Sequence, residues 1–424
     1  MLKEFSNKVR LIVKDKSLSK KLLFVLGAFV MFRLLANVPI PGVNTEALAQ
    51  FFADNQFFGL LNIFSGGGLS GLSIVMLGVG PYITGSIIMQ LLTMMSDKLK
   101  NLYHEEGEAG RRKFMQFSRM LTLPIAVVQA FGFLMLLQRQ GIVSSLTSLD
   151  LVANIIVVTA GSVLLMWIGE LVTEFGIGNG VSLIIFGGIV AGLPTAIRQM
   201  LFTYDIAMIP EYLAFLAIGL VTIIGVVLIT EAERPIPITY AKQVRGNRVY
   251  GGVSTYLPLR VNMAGVIPII FALSIMLLPQ MIVNFLGAVD SAAVQSFVTF
   301  TNNMLTNQWA YGITYFFLVF LFTYFYTAVT FDPDSISKNL QKSGAFIPGV
   351  RPGDSTSKHI GHILSRITLV GALFLGTIAV LPIAIQGISG ISSLTIGGTA
   401  LLIAVSVAID LLKKVEAQIS MREY

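Results

Sequence analysis

A succession of long apolar runs constrains this chain more than any other feature. Crossing roughly 30 Å of hydrocarbon takes about 20 residues of helix. Runs of that kind lie near residues 22–39, 74–95, 116–138, 151–171, 181–197, 213–230, 264–286, 309–330, 366–386 and 395–412. Only 12% of the 424 residues are charged, against roughly a quarter in a soluble domain. The solvent this chain is written for is a bilayer. The expected fold class is an all-α polytopic membrane protein, because a helix satisfies its own backbone in lipid.

Basic residues decide the orientation, since Lys and Arg stay on the cytoplasmic side of short loops. Of the 29 basic residues, 26 fall in the N-terminal segment, in every second loop, and in the segment after residue 412. The opposite loops hold Arg139 and Arg198, and Arg33 lies inside the first run. Both termini are therefore expected in the cytoplasm, which requires an even number of spans, and ten fits. Residues 1–21 read as a cytoplasmic amphipathic N-terminus and 413–424 as a cytoplasmic tail of a plasma (inner) membrane protein. No small-residue cleavage site follows the first run before Pro39, so the N-terminus does not resemble a cleaved signal.

The stretch from Phe57 to Met95 is apolar for nearly twice the length one helix needs, and Gly66, Gly67, Gly68 and Gly71 interrupt its first part. Such a segment survives at membrane depth only if protein or a water-filled cavity satisfies its backbone. We read 57–73 as re-entrant, with a loosely packed outer loop as the alternative.

Little in the sequence suggests an enzyme. With no cysteine there is no thiolate chemistry, and His104, His359 and His362 all sit in polar stretches without a third metal ligand. Gly176-Ile-Gly-Asn-Gly180 lies between two spans rather than after a strand, which argues against a nucleotide loop. Glu170, Glu174 and Asp410 fall near span ends, where solvation is cheap. No metal or cofactor is expected.

Four stretches carry a family resemblance: Ser73-Ile-Val-Met-Leu-Gly-Val-Gly-Pro-Tyr-Ile-Thr-Gly-Ser-Ile-Ile-Met-Gln90, Trp167 to Ile184, Leu257 to Pro268, and Gly344-Ala-Phe-Ile-Pro-Gly-Val-Arg-Pro-Gly353. In order and spacing they resemble the SecY family of protein-conducting channels. Gly85 and Asn247 depart from the family pattern. The resemblance implies two five-helix halves of inverted topology, 22–200 and 201–412, around an hourglass pore. It implies an aliphatic pore ring of Val79, Ile83, Val181, Ile185, Ile270 and Ile403. The plug implied below the ring is Leu61, Asn62, Ile63, Phe64, Ser65, Gly66, Gly67, Gly68 and Leu69, within a re-entrant segment running to Ser73. A lateral gate is implied at Thr84, Ile87 and Gln90 on one side and Ser274 and Leu278 on the other. The implied substrates are unfolded secretory and membrane polypeptides, crossing the membrane or leaving sideways into membrane lipid.

Physical sense supports these assignments. A conduit for polypeptides must pass almost any side chain yet stop ions when idle, and a deformable aliphatic ring that dewets does both. Val79 with Ile83, and Val181 with Ile185, are spaced to share a helix face. Pro81 and Pro268, near the ring, are expected to remove a helix hydrogen bond and kink the two gate helices. The basic loops 231–260 and 331–365, with Pro235, Pro237 and the run Tyr240 to Arg248, suggest structured, protruding surfaces. Such surfaces suit acidic partners. By resemblance these are the ribosome with its RNA and the SecA ATPase, docking at Arg351, Lys242, Arg245 and Arg248. The small membrane subunits SecE and SecG are implied as companions. A secondary transporter is the main alternative reading, but carriers bury a polar site at midplane, and here the midplane residues are almost all Val, Ile, Leu, Gly and Phe. An insertase or scaffold without a pore is the other.

Overall fold

The computed structural model describes residues 15–41, 62, 65, 67–69, 71–104, 106–139, 141–143, 147–202, 209–241, 243–245, 248–250, 252, 254–286, 292–389 and 393–423. Their helices are α1 (Lys16–Ala36), α2 (Gly80–Met95), α3 (Asp97–His104), α4 (Gly107–Arg139), α5 (Ser148–Phe175), α6 (Gly180–Phe202) and α7 (Ile209–Glu231), then α8 (Ile267–Leu286), α9 (Ala292–Thr306), α10 (Gln308–Thr330), α11 (Pro333–Lys342), α12 (Asp354–Ser389) and α13 (Ser393–Glu423). Between α7 and α8 run strands β1 (Glu233–Tyr240), β2 (Gln243–Arg245), β3 (Arg248–Tyr250) and β4 (Ser254–Arg260), and β5 (Ala345–Phe346) follows α11.

Local chemistry explains where several helices begin. The Asp15 carboxylate accepts from the backbone N–H groups of Ser17 and Leu18, and Asn307 caps α10 in the same way through Trp309 and Ala310. Thr147 and Asp150 form a reciprocal capping box on α5. Each device satisfies N–H groups that a helix start leaves without partners.

The burial pattern is inverted relative to a water-soluble protein. Leu23, Leu26, Leu213, Val221, Phe317 and Leu321 are more than half exposed, whereas Thr122 and Ser162 are fully buried. Small side chains at helix contacts and apolar ones outside are what lipid selects. Helices spanning Gly107–Gln138, Ser148–Phe175, Gln308–Lys342 and Asp354–Leu381 include apolar windows long enough to cross a membrane. The chain is a multi-pass membrane protein.

Some sequence boundaries need correction. The run at 74–95 becomes helical only at Gly80; residues 73–80 are a chain of tight turns, with N–H to carbonyl bonds from Met76 to Ser73, Gly78 to Val75 and Gly80 to Leu77. Gly78 makes this possible by adopting a φ of +57°. Several basic residues assigned to loops are helical: Arg111, Arg112, Lys113 and Arg119 in α4, Lys358 and Arg366 in α12, and Lys413, Lys414 and Arg422 in α13. Residues 413–423 are thus a continuation of α13 rather than a loose tail. These helices extend beyond the apolar run, so a hydropathy window marks the bilayer and not the helix.

Strands β1 to β4, within 233–260, and β5 at Ala345–Phe346 depart from an all-helical reading among the described residues. Strands β1 and β4 pair antiparallel from Glu233 opposite Arg260 to Thr239 opposite Ser254. Strand β5 pairs with the far end of β1, and β2 pairs with β3. Ile236 and Leu259 from the hairpin pack with Ile347, Ile360 and Ile367. A small apolar core therefore joins the hairpin to the 331–365 segment.

Candidate functional site

All six predicted ring residues belong to one large apolar cluster that also takes in Val25, Phe32, Tyr315 and Phe322. Val79, Ile83, Ile185, Ile270 and Ile403 are buried members, and Val181 packs against them partly exposed. They come from four helices, α2, α6, α8 and α13. Local geometry places several of them at helix starts. Val79 is the residue preceding α2, and its carbonyl accepts from the Ile83 N–H at 3.1 Å. Val181 is the second residue of α6, whose first turn is capped by the Asn179 side chain, accepting from Val181 and Ser182 N–H groups at 3.1 and 3.2 Å. Ile270 is the fourth residue of α8.

The prolines act differently from expectation. Pro81 lies in the first turn of α2, and Pro268 is the second residue of α8. At those positions no intrahelical donor is lost, and the fixed φ favours starting a helix. They define where each gate helix begins. The prolines within helix interiors include Pro124, Pro194 and Pro279.

Of the predicted plug, Asn62 is helical and Ser65, Gly67, Gly68 and Leu69 lie in turns. Ser65 Oγ donates to the Asn62 carbonyl at 3.0 Å and accepts from the Leu69 N–H at 3.0 Å. Gly67 N–H donates to Asn62 O at 2.8 Å, and Ser73 Oγ to Gly68 O at 2.9 Å. Leu69 and Leu72 are wholly buried in a cluster with Ile40, Leu134, Leu137 and Ile142. The segment is tied to the chain just after α1 by Ile40 N–H to Leu72 O and Ile74 N–H to Val38 O, both 2.9 Å. Leu61, Ile63, Phe64 and Gly66 lie outside the described residues.

Helix α2, which carries Thr84, Ile87 and Gln90, contacts α8, which carries Ser274 and Leu278. Thr84, Ile87 and Ser274 are buried, and both hydroxyls donate within their own helices, to Gly80 O at 3.0 Å and Ile270 O at 2.9 Å. Gln90 Oε1 is buried without a hydrogen-bond partner among the described residues. Leu278 belongs to α8, but its side chain lies outside what the structure describes.

Arg351 is exposed at the tip of a tight loop. Gly349 and Gly353 flank it at φ +82° and +96°, in the left-handed region. Thr356 Oγ1 donates to the Arg351 carbonyl at 2.9 Å, and Ser337 Oγ to the Gly353 carbonyl at 2.7 Å. The loop is thus held by its backbone while the guanidinium projects. Arg245 and Arg248 face each other in register across β2 and β3; Lys242 lies outside the described residues. Nearby, Asp332 caps α11. Partial burial pushes its carboxyl up, but hydrogen bonds from Ser335 and Asp334 together with the Lys100 charge hold it below the usual carboxylate range.

Two interhelical ion pairs escaped the sequence reading. Arg119 of α4 pairs with Glu170 of α5, and Lys413 of α13 pairs with Glu231 of α7 at 2.9 Å. Glu170 is only 17% exposed, so it is not the freely solvated span-end residue expected. Its partner is 51 positions away, and no local spacing announces it.

The comparisons agree on one family. The SecY family profile matches residues 73–412. The SecY translocase subunit of Mycobacterium bovis is 40% identical over 446 aligned residues, covering 100% of this chain and 99% of the relative. That of Thermotoga maritima is 41% identical, covering 97% and 95%. A solved protein-conducting channel superposes with a TM-score of 0.64 at 19% identity, covering 96% of this chain and 94% of its own. Sec61 from a canine ribosome–channel complex does so at 0.61 and 18%, with the same coverages. Such distant structures speak for the fold, and the closer relatives speak for the lineage: this chain belongs to the SecY family, whose members are channel subunits and not enzymes.

Proposed function

We propose that the chain forms the conducting path of a protein translocase, with the ring as its seal. Unfolded secretory polypeptides pass the ring, and hydrophobic segments leave for lipid between α2 and α8. In this reading 22–200 and 201–412 are the two halves of a ten-span clamp in the plasma membrane, with both termini cytoplasmic. The single observation that carries it is that Val79, Ile83, Val181, Ile185, Ile270 and Ile403, distant in sequence, all belong to one apolar cluster. A carrier would place a polar substrate site there instead.

The partners follow from the surfaces. The sequence carries no Walker-type glycine loop, so in this reading a partner supplies the energy; SecA and the ribosome are the candidates for the face that presents Arg351 and the hairpin. The relatives are named as translocase subunits, and a structural neighbour is a ribosome–channel complex, which supports partners of this kind. SecE and SecG fit as small membrane subunits bracing the clamp.

Ile270→Asn tests the seal. It places an amide in the cluster, and burying that group without a partner costs on the order of 1–3 kcal/mol, so the closed state should hydrate. Proteoliposomes should show a higher resting ion leak, and cells should export precursors with defective signal sequences more readily. Unchanged leak and unchanged signal stringency would remove Ile270 from the pore.

A further inference from the structure

Arg119 and Glu170 join α4 to α5 through a charge-assisted hydrogen bond. Among the described ion pairs, Glu170 is the least exposed partner. What surrounds the pair gives it a possible task. Gly169, the neighbour of Glu170, lies so close to α6 that a Cβ there would stand 3.2 Å from Val181 Cγ2 and 3.3 Å from Ile184 Cδ1. On the other side, the carbonyl of Ser118, the neighbour of Arg119, would stand 3.1 Å from a Cβ on Gly85, two residues after Ile83. Tyr82, next to Ile83, lies within electrostatic reach of both charges. The pair is therefore one residue removed from each of two close contacts. One of them backs Val181 of the ring, and the other backs the helix that carries Ile83.

The α2–α4 unit is also tethered to α5 at a second level. Ser162 Oγ donates to the Gly78 carbonyl at 2.9 Å, and Gly161 meets the Ile74 carbonyl. The Gly161–Ile74 approach is between backbone atoms and cannot lengthen without breaking close packing. The ion pair is the other tether. Its strength falls off gradually with distance, and its geometry depends on two side chains rather than on backbone.

We infer that Arg119 and Glu170 are positioning residues for the constriction: their ion pair sets the spacing between α4 and α5, and so holds Val79 and Ile83 of α2 against Val181 and Ile185 of α6. The inference rests on the ring reading given above and adds to it the residues that keep the ring closed from behind. A pair of this exposure contributes modestly, so the gate should loosen rather than fall open.

The test measures resting ion leak in proteoliposomes for Glu170→Gln, Arg119→Glu, Glu170→Arg and the exchanged double variant, with Ile270→Asn in parallel. Glu170→Gln keeps the shape and a hydrogen-bonding oxygen, so the protein should accumulate at the parental level. The single variants should raise leak about two- to fivefold and relax signal stringency, and the exchange of charges should bring both back toward parental values. A merely structural pair would lower protein level without altering leak per channel, and that outcome overturns the inference. It is likewise overturned if Glu170→Gln leaves leak unchanged while Ile270→Asn raises it, which keeps the ring reading intact. If neither variant alters leak, the ring reading itself fails. If Glu170→Gln leaks while Ile270→Asn does not, the pair acts on something other than this ring, and the inference fails as stated.

Discussion

The proposed ring region and the face that presents Arg351 are held together by different forces. In the first, apolar side chains share one large cluster, and the hydroxyls of Thr84 and Ser274 are turned back on their own helices. In the second, caps, turns and a short hairpin hold the backbone while Arg351 is exposed to solvent. In the first region Gly161 and Gly85 tolerate little added volume, because a Cβ at either would meet a backbone carbonyl oxygen, of Ile74 or of Ser118. The second tolerates changes of side chain, because its geometry is fixed by main-chain bonds that point elsewhere. A sealing part is thus fixed by packing, and a presenting part is fixed by hydrogen bonds beneath a free side chain.

The largest effect that would sharpen this contrast is at Gly161. A Cβ there would stand 2.0 Å from the Ile74 carbonyl oxygen, and neither backbone can yield cheaply. Gly161→Ala should exceed the usual 1–3 kcal/mol of overpacking, a strain of about 3 kcal/mol or more. Little folded protein should accumulate, which membrane levels and thermal unfolding in detergent would register. Normal levels and stability would mean that the sealing region is softer than its contacts suggest.

Arg351→Glu should have the opposite profile. Folding, membrane level and topology should match the parent, while motor-driven export should be lost. Removing one member of a desolvated charge pair costs on the order of 2–5 kcal/mol of binding. Arg351→Lys should be partly defective, since Lys lacks the planar fork that engages carboxylate or phosphate with two bonds. Export by vesicles with SecA supplied is the measurement, and parental export by the Glu variant would break the comparison on this side.

The smallest effect lies at Asp332. Replacing this cap with Ala should cost about 1 kcal/mol of local stability in α11, visible as faster amide exchange or proteolysis in 331–365. The folded-state carboxyl lies below its usual value, so its contribution is present above the ordinary carboxylate range and fades as pH falls through the lower, folded value. Parental exchange should therefore stay constant near neutrality and rise only in acid, below roughly pH 4.

Much of this architecture was legible in the residues. Hydropathy marked the multi-pass helical class and the four long apolar helices, because burying about 20 apolar residues in lipid leaves few alternatives. Val79, Ile83, Val181 and Ile185, singled out by their spacing, belong to one large apolar cluster. What stayed hidden depends on contacts between distant positions. Nothing near Glu170 names Arg119 as its partner, and nothing near Gly161 reveals Ile74 against it. The hairpin at 233–260 was hard to see for a local reason: Pro235, Pro237 and Pro258 mark strands poorly, since proline cannot donate to a ladder. The role of Pro81 and Pro268 was misjudged because a proline's effect depends on where its helix starts, and hydropathy does not show that.

The starting points of those helices have an electrical consequence. Helix α2 begins one residue after Val79, α6 one residue before Val181, and α8 three residues before Ile270. Each helix N-terminus carries the equivalent of roughly half a positive charge, and in the proposed seal these three lie within a few residues of ring side chains. The barrier there therefore distinguishes charge by sign as well as by size. A cation or hydrated proton meets both the loss of water and a repulsive potential, while an anion meets only the first. The leak admitted by Ile270→Asn should accordingly favour anions, which the reversal potential in asymmetric salt would read directly.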